Sequence, residues 1–192
     1  MAAHLVVSCC RLHGASPSKA AAASSSSPPS SNLKATNSRG DHTRIGRSGT
    51  KPSYLGVQKN PPSLALCPAT NNCVSTSEEI SDSNHYAPPW GKPITKEEAM
   101  KELIEAVTKT KPDNFTPRIV EKTDYYVRVE YESPIFGFVD DVEFWFPPGN
   151  KSIVQYRSAS RSGFVDFNAN KKRVKELRLA LEKKGWASES NF

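Results

Sequence analysis

The stretch Tyr125-Tyr126-Val127-Arg128-Val129-Glu130-Tyr131-Glu132 decides the fold. Val127, Val129 and Tyr131 alternate with Arg128, Glu130 and Glu132. That is the period of a β-strand with one face buried and the other wet. Asp140–Phe146 repeats the pattern, with Val142, Phe144 and Phe146 inward and Asp141 and Glu143 outward. Upstream, Arg118–Lys122 precedes a tight turn at Thr123-Asp124. Downstream, Pro148-Gly149 has the composition of a type II turn and returns the chain into Ser152–Ser160. Four strands in this order form an antiparallel meander.

A helix is expected on each side of the meander. Thr95-Lys96-Glu97-Glu98 is a capping box, followed by Met100, Leu103, Ile104 and Val107 at helical spacing, with Pro112 as a stop. The second helix runs from about Ala169 to Lys184 on the stripe Val174, Leu177, Leu181, with Gly185 as its C-cap and Lys183 and Lys184 at its negative end. The expected fold is α+β. A four-stranded antiparallel meander carries two helices on one face, in the order α-β-β-β-β-α, behind a disordered leader.

Charge separates leader from domain. The 192-residue chain is formally +6, with 26 Lys+Arg and 20 Asp+Glu. Residues 1–66 hold eight of the basic residues and one acid, Asp41, which is +7, whereas residues 67–192 are −1. The first third also contains Ala20–Ala23, Ser24–Ser27 and Pro28-Pro29, with few large apolar residues. It cannot bury enough surface to offset its chain entropy. A basic, Ser/Ala-rich and nearly acid-free N-terminus has the character of an organelle transit peptide, and the Met-Ala-Ala start points to the chloroplast. No second apolar stretch for export to the lumen precedes Cys67, so the stroma is expected. The basic pI is therefore no argument for nucleic acid, and no run approaches the length of a membrane span. Residues 67–192 are expected to form one domain.

Several groups in that domain have chemistry to offer. Asp140 shares parity with the core residues of its strand, so it needs a partner; Ser158, Ser160, Arg161 and Arg173 are the candidates. Asp141 and Glu143 read as a cross-strand charge ladder with Arg128 and Arg157. The run Arg157-Ser158-Ala159-Ser160-Arg161-Ser162-Gly163, leading through Asp166 and Asn170 into the last helix, has the makings of an anion site. The competing reading is a structural loop with Asp166 or Asn168 as N-cap. Cys67 and Cys73 are either a disulfide or redox pair or free thiols; with His85 a metal site lacks a fourth ligand and matches no zinc spacing. The last helix carries Lys171, Lys172, Arg173, Lys175, Arg178, Lys183 and Lys184, a solvated face or a dock for an acidic partner or an anionic lipid surface. No cofactor is expected. No nucleophile–base arrangement can be read, so a non-enzymatic module for a small anionic ligand or a protein partner is the leading expectation. The alternatives are an enzyme with Asp140 or Asp166 as acid/base beside Arg161, and a redox-switched interaction protein.

Four ordered motifs carry a resemblance: Cys67-Pro68 with Asn72-Cys73-Val74-Ser75; Gly137-Phe138-Val139-Asp140-Asp141-Val142-Glu143-Phe144; Arg157 to Gly163; and Asp166 with Asn170 ahead of a basic helix. From Cys67 to about Leu181 the chain resembles the bacterial and plastid domain-of-unknown-function family numbered fourteen-ninety-nine. The resemblance implies no established activity. It departs from the family pattern where Phe164 and Val165 replace Tyr and Ser and Lys171 replaces Arg, which removes two hydroxyls and a bidentate fork.

Overall fold

A computed structural model describes residues 49–149, 152–163 and 166–188. Residues 1–48 of the expected leader (1–66) and the Phe164-Val165 departure lie outside them. The chain first forms a small hairpin, β1 (Gln58–Lys59) with β2 (Pro62–Ser63), then β3 (Cys73–Ser75) and β4 (Trp90–Gly91). Helix α1 spans Lys96–Lys109 and opens with the expected capping box. Glu98 N–H donates to Thr95 Oγ1, and the Glu98 carboxylate receives the Thr95 N–H. A 3-10 turn at Pro112–Asn114 leads into the meander β5 (Thr116–Lys122), β6 (Tyr126–Glu132), β7 (Val139–Trp145) and β8 (Ile153–Ser160). Helix α2 (Ala169–Glu182) and β9 (Ala187–Ser188) complete it, and Gly185, at φ +85°, ends the helix.

The meander is present in the expected order, but the sheet has seven strands rather than four, in the order β5-β6-β7-β8-β4-β9 with β3 also on β8. β8 is therefore not an edge. β4 pairs with its start at Trp90↔Val154, and β3 with its end at Cys73↔Ala159. Strands of two or three residues carry no periodicity from which they can be read. Both helices pack on one face, where Leu103 and Val107 of α1 and Leu177 and Leu181 of α2 meet Val129, Val142, Phe144 and Tyr156. Trp90 stacks on Tyr156 with centroids 4.1 Å apart. No described helix is long and apolar enough to cross a membrane.

The expected wet face is the main correction. Asp141 and Glu143 are 1% and 0% exposed, and Arg128 and Glu130 are buried as well. The cover comes from residues 49–66, which the sequence reading assigned to the leader. Leu64 packs with Tyr126 and Trp145, Tyr54 lies over the Arg157 guanidinium at 4.9 Å, and Gly56 N–H donates to Glu143 Oε1 at 2.6 Å. A Cβ on Gly49 would meet Arg161 Cβ at 3.1 Å. Packed chain thus begins ahead of Cys67. The segment's apolar residues Tyr54, Leu55, Val57, Leu64 and Leu66 follow neither a strand nor a helix period, so the pattern hides its role.

Candidate functional site

The residues singled out from sequence divide between the two faces of the sheet, because β8 alternates. Ser158 and Ser160 turn toward the helices; Arg157 and Arg161 turn to the face that residues 49–66 cover as a strap.

On the helix side, Asp140 is buried and its Oδ2 accepts a 2.6 Å bond from Arg173 Nη2. The same guanidinium donates through Nη1 to Asn170 Oδ1 (2.8 Å) and Ser158 Oγ (3.1 Å). It lies over the rings of Tyr131 and Phe115 at 4.6 and 5.0 Å. Asn170 Nδ2 donates to Ser160 Oγ, to Asp166 Oδ2 and to the Asn72 carbonyl. Asn72 also receives Ser160 N–H and donates to the Gly163 carbonyl at 2.7 Å. Asp140, Ser158, Ser160, Asp166, Asn170 and Arg173 therefore form one connected network, with Asn72 as a member that spacing did not reveal. An ion pair removed from water in this way costs several kcal/mol of desolvation unless its remaining hydrogen bonds are made, and here most are.

On the other side, Arg161 grips Asp141 with two bonds, Nε to Oδ2 at 2.7 Å and Nη2 to Oδ1 at 2.9 Å, and reaches Glu130 at 2.5 Å. Arg128 bonds the same two acids, and Arg118 pairs with Glu130. Burial alone would raise Glu130, but the hydrogen bonds and charge of Arg161, with help from Arg118 and Arg128, hold it below its ordinary value. Glu143 is the opposite case. Burial pushes its carboxyl up despite bonds from Gly56 N–H and the Tyr126 hydroxyl, and Arg157 stands 3.8 Å away. The anion site expected around Arg157 and Arg161 is not formed: both guanidiniums are buried and face carboxylates of their own sheet. Nor do Asp140 and Arg161 form an acid/base pair, since they lie on opposite faces. Of the four candidate partners for Asp140, Arg173 is the one that pairs with it.

Above the helix-side network lies a cleft of about 410 Å³. Asp140 and Ser160 are at its floor. The β6–β7 connection supplies one wall through Ile135, Phe136 and Phe138, and the start of α2 supplies the other through Phe167. Gly137 sits at φ +65°, which lets the connection turn so that Phe136 and Phe138 both project outward, with rings 5.7 Å apart. Phe167 and Asn168 adopt φ +52° and +64°, a conformation that Asn tolerates but that costs about 1–3 kcal/mol for a bulky side chain such as Phe167. Asp166 holds them there, accepting Asn168 N–H and Asn170 N–H at 2.9 Å each. Asp166, not Asn168, thus does the capping. The result is an 85% exposed Phe167 beside an 81% exposed Ile135. Spacing missed these cleft residues, yet Pro134-Ile135-Phe136-Gly137-Phe138 was a legible signal, because apolar side chains crowd a loop where polar ones are the rule.

Cys67 and Cys73 are joined in a disulfide, with Cα atoms 5.6 Å apart, so the alternative of free thiols does not describe this structure. The bond ties the loop that presents Asn72 to β3. His85 is engaged locally, with Nδ1 2.8 Å from Asp82 and Nε2 3.2 Å from the Thr70 carbonyl; the Asp82 hydrogen bond raises its pKa. Among the described residues no cluster of His, Cys, Asp and Glu is arranged to hold a metal ion.

The four sequence motifs now have a common place. Asn72, Asp140, Ser160, Asp166 and Asn170 meet under the cleft, and Gly137 shapes its wall. A search of the curated proteins and of the solved structures finds no match. The family described as Protein of unknown function (DUF1499) matches residues 63–181, a span that starts at the end of the strap and ends with the buried Leu181 of α2. The chain belongs to that family.

Proposed function

We propose that this protein is a non-enzymatic binding module of the chloroplast stroma, which holds a protein partner in the cleft over Asp140 and Ser160. The observation that carries this reading is the ring of exposed Ile135, Phe136, Phe138 and Phe167 around a floor of hydrogen-bonded polar side chains. Exposed apolar side chains clustered round a concavity mark an interaction site. The lining includes three acids, Asp113, Asp140 and Asp166, and one base, Lys172. With Asp140 paired to Arg173 and Asp113 to Lys172, Asp166 leaves the lining slightly negative, which disfavours a small anion and suits a partner segment with apolar side chains flanked by a basic residue. The Arg173 and Asn170 bonds to the floor brace the site rather than leave a nucleophile or base free.

The test replaces cleft residues that the fold does not need. Full-length tagged protein is recovered from plastids as wild type and as Phe136→Ser/Phe167→Ser. A partner recovered with wild type and depleted at least tenfold in the variant is expected. Equal recovery removes the reading. The compartment has its own test: residues 1–66 fused to a fluorescent reporter should deliver it to the stroma, and diffuse cytosolic fluorescence would end that part of the proposal.

A redox-controlled form of the same module is supported by the position of Asn72, one residue from the Cys67–Cys73 disulfide and bonded to Ser160, Gly163 and Asn170 at the cleft. Partner recovery with and without dithiothreitol should then differ, while Cys67→Ser/Cys73→Ser should be insensitive.

A further inference from the structure

The anion site missing from β8 has a counterpart on α2. Arg173 is paired with Asp140, Lys172 lies 3.4 Å from Asp113, and Lys184 lies 2.9 Å from Glu105. Lys171 and Lys175 are exposed and make no ion pair among the described residues. Arg178, whose Nε is 3.3 Å from Glu182, is half-exposed. These three residues stand at i, i+4 and i+7, on one face of the helix over about 10 Å of its length. The face they share is not open water. It borders a second cavity of about 260 Å³, between α2 and the segment leading into β4, with Tyr86, Trp90 and Tyr156 on its protein side. No Asp or Glu lines it. Trp90 is 1% exposed and stacks on Tyr156 behind this wall. Three cations on one wall and aromatic rings on the other describe a site for an anion with an apolar body.

We propose that this pocket is a second binding site, independent of the cleft, for an organic phosphate: a phosphate monoester whose apolar or aromatic body rests against the half-buried Tyr86, over the buried Trp90. Two lysines and an arginine match the nearly doubly charged phosphate better than a single carboxylate, since lysine binds phosphate as a point charge and needs no bidentate geometry. The aromatic wall adds contact area that inorganic phosphate cannot use. The same chemistry exists free in solution and on the headgroup of phosphatidic acid, and the two sources are separable.

The experiment follows the indole N–H signals of the full-length protein by NMR. The chain has three tryptophans, Trp90, Trp145 and Trp186, so the latter two serve as internal controls. Phenyl phosphate at constant ionic strength should shift the Trp90 signal saturably and leave the other two in place. Lys171→Ala/Lys175→Ala should weaken binding by about tenfold or more, equivalent to about 1.4 kcal/mol. Both residues are exposed, and an unchanged melting temperature checks the fold; Lys175→Glu gives a second variant expected to weaken binding in the same way. Inorganic phosphate should bind at least several-fold more weakly than phenyl phosphate. No saturable shift, or equal affinity in the double variant, overturns the site; equal binding of inorganic phosphate overturns the aromatic contact. Sedimentation with phosphatidylcholine vesicles containing phosphatidic acid separates the sources. Lysine-dependent vesicle binding together with phenyl phosphate binding supports a headgroup ligand. Vesicle binding without a phenyl phosphate response overturns the pocket in favour of a merely basic surface.

Discussion

Arg173 and Asp140 illustrate how one residue in a strand sets a requirement on another thirty-three positions away. Parity alone places Asp140 among Val142 and Phe144, and a buried carboxylate there needs a cation; which cation is a matter of tertiary geometry. Arg173→Met should destabilise the domain by about 3–5 kcal/mol, because it leaves Asp140 buried and unpaired. Arg173→Met/Asp140→Leu should recover much of that loss, and a double variant no more stable than the single would show that the pair is not the source; urea unfolding measures both. Protonation separates two other carboxylates. Glu143 is held above its ordinary value of 4.5 by burial, so the folded protein binds that proton more tightly than the unfolded chain. Its contribution to stability is fully present below pH 4.5 and is lost as pH rises through the raised value. Glu105 has the opposite sign: hydrogen bonds from Lys109 and Lys184 lower it from 4.5 to about 2, so its contribution is present above pH 4.5 and is lost as pH falls toward 2. Glu143→Gln should flatten the neutral-side fall in a plot of melting temperature against pH, and Glu105→Gln the acid-side fall. A profile unchanged by Glu143→Gln would mean that Arg157 neutralises the group fully.

At the level of elements, legibility followed length and local rules. The start of helix α1 is readable to the residue because its capping box is a local motif, and Thr95→Ala should cost about 1 kcal/mol in thermal or urea unfolding. The meander was readable because seven or eight residues of alternation exceed any accidental run. β3, β4 and β9 were not, since each is defined only by its partner. The strap over the polar face is hidden for a related reason: its main apolar anchor, Leu64, stands in the short run Leu64-Ala65-Leu66, which has no strand or helix period. Leu64→Ala should cost about 2–5 kcal/mol, near the value for any buried leucine, and would cost almost nothing if residues 49–66 were a free linker. The candidate site shows the same division. Its floor residues fell within quoted motifs, whereas its apolar walls depend on loop geometry that alternation does not describe.

For the whole molecule, the disulfide links local and global order. Closing a short loop between Cys67 and Cys73 restricts the unfolded chain, and Cys67→Ser/Cys73→Ser should lower stability by about 2 kcal/mol, the low end for a loop this small. Faster amide exchange at Ser160 and Asn170 in that variant is expected from loosening of Asn72; unchanged exchange would detach the disulfide from the cleft. The sequence by itself determined the α+β class, the order of helices and meander strands, the parity that buries Asp140, and the concentration of positive charge in residues 1–66. Each rests on period, local capping chemistry or composition, which need no knowledge of distant neighbours. Only the tertiary structure decided that the polar face is covered, that Arg157 and Arg161 face carboxylates, that Asp140 belongs to Arg173, and that apolar loop residues ring a cleft. Those outcomes depend on which segments meet across the sheet, and alternation says that a side chain points to one face without saying what lies on it.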